Sequence, residues 1–103
     1  MISPLDGLDP MLHQPKRLAA IAMIASSTSC DFVFLRDQLD LGDSDLSKHM
    51  TALSQAGYVT IRKSGRGRGS TTTYAITTAG RKAYGRHRDT LTTLLAAHEP
   101  GTP

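Results

Sequence analysis

The chain has no tryptophan, two phenylalanines, three tyrosines and a single cysteine, Cys30, in 103 residues. One thiol cannot close an intramolecular disulfide or build a cysteine-rich zinc site. Cys30 is expected as a small buried hydrophobe, with an intermolecular bridge left open. No apolar run approaches the roughly 18 to 20 residues that span a bilayer. Met1–Asp6 lacks the basic-then-apolar pattern of a secretory leader. No membrane partner is therefore expected, and the expected location is the cytoplasm. The four histidines, His13, His49, His87 and His98, show no compact ligand pair, so neither a metal nor another cofactor is expected. Nucleophile motifs, phosphate-binding glycine loops and paired carboxylates are also missing, so catalysis is not expected. The glycine-rich run at 65–69 is no dinucleotide fingerprint, because it lacks the spacing and joins two predicted strands rather than a strand and a helix.

Acidic charge is scarce in one stretch. Residues 1–43 carry three basic and six acidic side chains, a net of −3. Residues 44–88 carry nine basic side chains against Asp45 alone, a net of +8. Residues 89–103 add Asp89 and Glu99, which brings the whole chain to +3. A basic segment between acidic ends points to a surface that meets a polyanion.

With 39% apolar residues, the length allows one domain with one core. The spacing predicts a flexible arm over residues 1–8, a folded domain over 9–98 and a flexible tail over 99–103. A first helix opens at His13-Gln14-Pro15 and carries Leu18, Ile21, Ala22, Ile24 and Ala25 at helical spacing. Cys30-Asp31-Phe32 fits a very short strand. A second helix follows with Phe32, Leu35 and Leu39 on one face. After the turn Leu41-Gly42-Asp43, a third helix is predicted over Ser44–Ala56, capped by Asp43 or Ser44. Its inward face is Leu46, Met50, Leu53 and Ala56. Its outward face is Ser44, Asp45, Ser47, Lys48, Thr51 and Gln55. Gly57 suits the left-handed residue that stops a helix. The period then changes to two. Tyr58–Arg62 and Thr71–Ile76 read as paired strands, with Lys63–Ser70 as a hairpin tip. A last helix is predicted over Ala79–His98, capped by Thr77 or Thr78, with a stripe of Ala83, Tyr84, Leu91, Leu94 and Leu95.

The fold class is thus mainly α with a small antiparallel β-hairpin, in the order of a winged helix-turn-helix. A short glycine-containing turn between two helices suits a unit whose second helix enters the major groove. Short polar and basic side chains can read base edges there, and Ser44, Asp45, Ser47, Lys48 and Thr51 offer them. Asp45 could accept from a cytosine amine or serve the helix N-terminus. Lys63, Arg66 and Arg68 place cations on a glycine-rich hairpin that could approach phosphates or a narrow minor groove.

The segment Leu46-Ser47-Lys48-His49-Met50-Thr51-Ala52-Leu53-Ser54-Gln55-Ala56-Gly57-Tyr58-Val59 resembles the recognition-helix signature of MarR-like and ArsR-like winged helix regulators. Thr73–Arg81 resembles their second wing strand and the entry to their last helix, and His13–Leu18 the opening of the first. The resemblance covers about residues 9 to 97 and departs in two places. Ser54 stands where an acidic residue is usual, and Gly65–Gly69 replaces an arginine-proline step. The resemblance implies a transcriptional regulator, commonly a repressor, that binds an operator as a dimer. It places His49 either near DNA or packed beneath the helix.

Two-fold symmetry would match a palindromic duplex site. Leu91, Leu94 and Leu95 are numerous for a helix end in water. Leu8, Met11 and Leu12 of a partner could cover them, or these leucines could close the protomer's own core. A cavity between the terminal segments of such a homodimer could take a small apolar effector. Two other functions fit the pattern: a winged helix that docks proteins, and an architectural protein that binds DNA without sequence choice.

Overall fold

The computed structural model describes residues 3–101, the side chain of Arg68 excepted. The outermost residues of the predicted arm and tail lie outside the described residues. The elements are α1 (Pro15–Ala25), β1 (Cys30–Asp31), α2 (Phe32–Leu39), α3 (Asp43–Gln55), β2 (Val59–Ser64), β3 (Thr71–Ile76) and α4 (Thr78–Ala97). A short 3₁₀ turn, Gly67–Gly69, interrupts the hairpin tip. No helix among the described residues is long and apolar enough to cross a membrane.

Local chemistry explains most boundaries. Proline at the start of α1 lacks only an N–H that would have no helical partner. Gln14 caps that helix by accepting from Arg17 N. Asp31 caps α2 by accepting from Phe34 N, and Thr77 caps α4 by accepting from Gly80 N. The third helix differs from expectation. It starts at Asp43 behind Gly42, without a side-chain cap, and ends at Gln55. Asp43 and Asp45 instead place negative charge in the first turn, which complements the helix dipole. Ala56, expected inward, is exposed because the helix has already ended. Gly57 has φ +82°, the left-handed conformation that stops the helix.

The hairpin pairs Val59 with Ile76 through to Ser64 with Thr71. The short strand joins it, Cys30 opposite Tyr74 and Asp31 opposite Thr73. The sheet is therefore three-stranded, in the order β1-β3-β2. Its root closes one side of a core built from Leu12, Ile21, Ile24, Leu35, Leu46, Met50, Leu53, Val59 and Tyr74. Burying a side chain of this size removes about 1.5–3 kcal/mol of unfavourable water contact.

One contact fixes how α3 and α4 stand to each other. Thr77 N donates to Tyr58 O at 3.0 Å, and Thr77 Oγ1 donates to Gly57 O at 2.6 Å. At Gly80 a Cβ would run into the Tyr58 carbonyl. The step after α3 and the first turn of α4 can approach this closely only because position 80 has no side chain.

Candidate nucleic-acid interface

Ser44, Ser47, Lys48 and Thr51 are spaced to share one face of α3, and all four are exposed. The opposite face is consumed by the core through Leu46, Met50 and Leu53. The outer face continues onto the hairpin. Ser47, Met50 and Thr51 of α3 and Ile61 and Lys63 of β2 line a shared groove of about 240 Å³. Lys63 and Arg66 are exposed. The Arg68 side chain, expected as a second cation of the tip, lies outside the described residues.

The tip is shaped by its glycines. Gly65 has φ +84°, and a Cβ there would sit 2.6 Å from Gly69 O. A residue with a side chain would therefore open the turn. The 3₁₀ turn that follows carries Arg68 in its centre.

His49 does not reach the outer face. It is 4% exposed, so of its two possible positions the structure adopts the one beneath the helix. Arg17 Nε donates to its Nδ1 at 3.1 Å, and its Nε2 lies 3.2 Å from Asp45 Oδ1. Nδ1 is thus an acceptor, and the ring is the neutral tautomer with its proton on Nε2. Burial, followed by the nearby Arg17 charge, pushes the His49 pKa down. Asp45, expected as a base contact or a terminal carboxylate, is held from both sides. Lys16 Nζ reaches its Oδ2 at 2.6 Å, and the hydrogen bond from Lys16 keeps its pKa below the usual carboxylate range. Lys16 and Arg17 therefore brace α3 from α1. Sequence reasoning missed this role, because nothing in their spacing pairs them with residues 29 to 32 positions away.

A second set of bonds ties the N-terminal segment to α4. His87 is fully buried. Its Nδ1 accepts from Asp9 N at 2.9 Å, and its Nε2 lies 3.4 Å from His13 Nδ1. Asp9 accepts from the Tyr58 hydroxyl and from Met11 N at 2.9 Å. Burial and the neighbouring His13 lower the His87 pKa. Among the described residues no cluster of three or more potential ligands could hold a metal.

Of the expected partner-facing leucines, Leu12 is corrected. It is wholly buried in its own core, so no second chain can reach it. Met11 packs partly against the same core. Leu8, Leu91 and Leu94 are half-buried, and Leu95 is 60% exposed.

A helix-turn-helix with a basic hairpin beside its second helix defines a winged helix, and comparison with known proteins agrees. Residues 16–95 match the winged helix DNA-binding domain family, and the chain belongs to that family. A transcriptional regulator homologue from Pyrococcus horikoshii OT3 superposes with a TM-score of 0.78 at 24% identity, covering 84% of this chain and 86% of its own. The transcriptional repressor BigR from Xylella fastidiosa gives 0.62 at 22% identity, over 88% and 83%. The transcriptional regulator PcaV from Streptomyces coelicolor, solved in complex with its natural ligand, gives 0.67 at 12% identity, over 93% and 70%. At these identities the likeness is one of fold. No curated protein sequence matches the chain significantly.

Proposed function

We propose that this protein is a sequence-specific repressor of transcription that binds a palindromic duplex operator as a homodimer, in the manner of the MarR-like regulators. The observation that carries the reading is the continuity of the exposed α3 face with the basic hairpin across the groove at Ser47, Thr51 and Lys63. Ser47, Lys48 and Thr51 read base edges, with Ser44 at the helix start. Lys63, Arg66 and Arg68 meet the flanking phosphates or the minor groove. Asp45 and His49 act from behind, by fixing the pitch of α3 through Lys16 and Arg17. The proposed place of action is the cytoplasm.

The proposed dimer face is the outer half of α4, where Leu91, Leu94 and Leu95 are incompletely covered, together with Leu8. The chain is also more extended than a compact domain of its size. Its radius of gyration is 15.8 Å, against about 13 Å for 100 compactly folded residues. A small-molecule effector would enter this same face. Pro4, Gly7, Thr90, Thr93 and Leu94 border a concavity of about 390 Å³ there.

The test is fluorescence anisotropy with a duplex from the gene's own upstream region, beside a shuffled duplex, through a salt titration. Tight, salt-sensitive binding to the first duplex alone is expected. Lys48→Ala should cost on the order of 1–3 kcal/mol and relax sequence preference. Arg66→Ala should lower the salt slope by about one. Equal binding to both duplexes would indicate an architectural role, and no binding at low salt would indicate a protein-docking winged helix.

A further inference from the structure

A second concavity lies on another side of the molecule, away from both the α3 face and the α4 leucines. It has a volume of about 560 Å³ and is bordered by the end of α1, the loop to β1, the start of α2 and one residue of β3. This falls within the range of small-molecule sites, roughly 300 to 1,000 Å³. Met23 and Phe34 supply its apolar surface, and Phe34 stands 50% exposed. A half-exposed aromatic ring at the start of a short helix adds nothing to the core.

The polar part of the lining is made of hydroxyls, the Cys30 thiol and one carboxylate. Ser26 Oγ donates to Met23 O at 2.9 Å. Ser27 Oγ is within 3.2 Å of the same carbonyl and 3.4 Å of Ile24 O. With its proton on a backbone carbonyl, the Ser26 hydroxyl keeps lone pairs free to accept, while Ser27 Oγ also lies 3.1 Å from Cys30 Sγ. Asp31 caps α2 through Oδ1 alone, by accepting from Phe34 N at 2.7 Å, and its carboxylate is half-buried at the rim. The lining contains no lysine, arginine or histidine, although the chain carries a net charge of +3. Acceptors, one carboxylate and an aromatic face with no competing cation form a site complementary to positive charge carried on an apolar body.

We propose that this cavity binds a hydrophobic organic cation, an alkyl- or aryl-substituted ammonium or phosphonium. Its charge lies between Asp31 and the Phe34 ring, and its apolar body lies against Met23. An organic anion is disfavoured by Asp31 and by the absence of any basic side chain from the lining. The ligand would touch the cap of α2 and, at Thr73, the middle of β3 where β1 and β2 both pair with it, next to the hairpin of the proposed DNA-facing surface.

The probe is tetraphenylphosphonium, titrated calorimetrically into the full chain without DNA, with benzoate as the anionic control. This readout is independent of operator binding, so its failure and the failure of the proposed function are separate. Asp31→Asn is the first variant, because asparagine caps a helix as well as aspartate does and only the charge is removed. Phe34→Leu is the second, and thermal melts confirm that both fold. Saturable binding of the phosphonium is expected, with no heat from benzoate. Affinity should fall at least tenfold in Asp31→Asn and several-fold in Phe34→Leu. Absence of binding, equal binding of benzoate, or affinity unchanged in Asp31→Asn would overturn the proposal. So would a self-association that weakens in Phe34→Leu without any ligand binding, since a second copy would then be the occupant.

Discussion

Helices α3 and α4 are both amphipathic in sequence, yet the structure treats their apolar sides differently. In α3, Leu46, Met50 and Leu53 are all buried with His49 between them. In α4 the buried residues are Gly80 and His87, both in its first half. Beyond them Leu91 and Leu94 are half-buried and Leu95 is exposed. An apolar stripe thus tells that a helix is meant to be covered, but not by which chain. The α3 stripe is spent within the protomer, which frees its polar side for another molecule. The α4 stripe is only partly spent within the protomer, and its uncovered outer half is the proposed dimer face.

The largest expected effect tests this contrast directly. Leu53→Ala should cost about 2–5 kcal/mol, the range for emptying a packed leucine site. Leu95→Ala should leave the monomer within about 0.5 kcal/mol of the parent and weaken self-association. Urea unfolding at two protein concentrations, with light scattering, separates the two outcomes. Equal destabilisation by both changes would erase the distinction between the helices.

A smaller effect is expected at the joint between them. Thr77→Ala removes both the cap of α4 and the bond to Gly57 O, and should cost on the order of 0.5–2 kcal/mol. Thr77→Ser should restore most of it. If thermal melts show no loss in Thr77→Ala, the two helices are not held together as described.

The smallest effect concerns the two buried histidines, one on each helix. Both have pKa values depressed mainly by burial, so the unfolded chain takes up their protons first as pH falls. Stability should be highest above the ordinary histidine pKa of about 6.5. It should decline as pH drops from there toward the depressed folded values. Denaturant titrations at pH 7.5, 6.5 and 5.5 should show a shallower decline in His49→Gln and in His87→Gln. A flattening in only one variant would show that the two burial sites are not equivalent.

The helices, the hairpin and the exposed polar side of α3 were legible in sequence because their signals are local. They rest on a period of 3.6 or 2, a proline at a helix start and a glycine after a helix end. The start of α3 was misplaced because an unassisted glycine cap leaves no polar signature. The pairing of β1 with β3 was not foreseen, since two residues are too few for a periodicity. Lys16 with Asp45, Arg17 with His49 and Asp9 with His87 are long-range partners chosen by packing. The Leu12 expectation failed for a related reason. Its hydrophobicity was plain, but the protomer's own core, rather than a partner, supplied the cover.

The close approach at Gly57, Tyr58, Thr77 and Gly80 has a mechanical consequence. It gears α3 to α4, so neither can swing without carrying the other. A 20-residue helix is about 30 Å long, and a tilt of roughly 10° displaces its far end by about 5 Å. Successive base pairs are only about 3.4 Å apart along a strand. In the proposed dimer, a small change of splay between two such helices would therefore move the reading heads out of step with the two halves of an operator, without any change in the fold of either protomer.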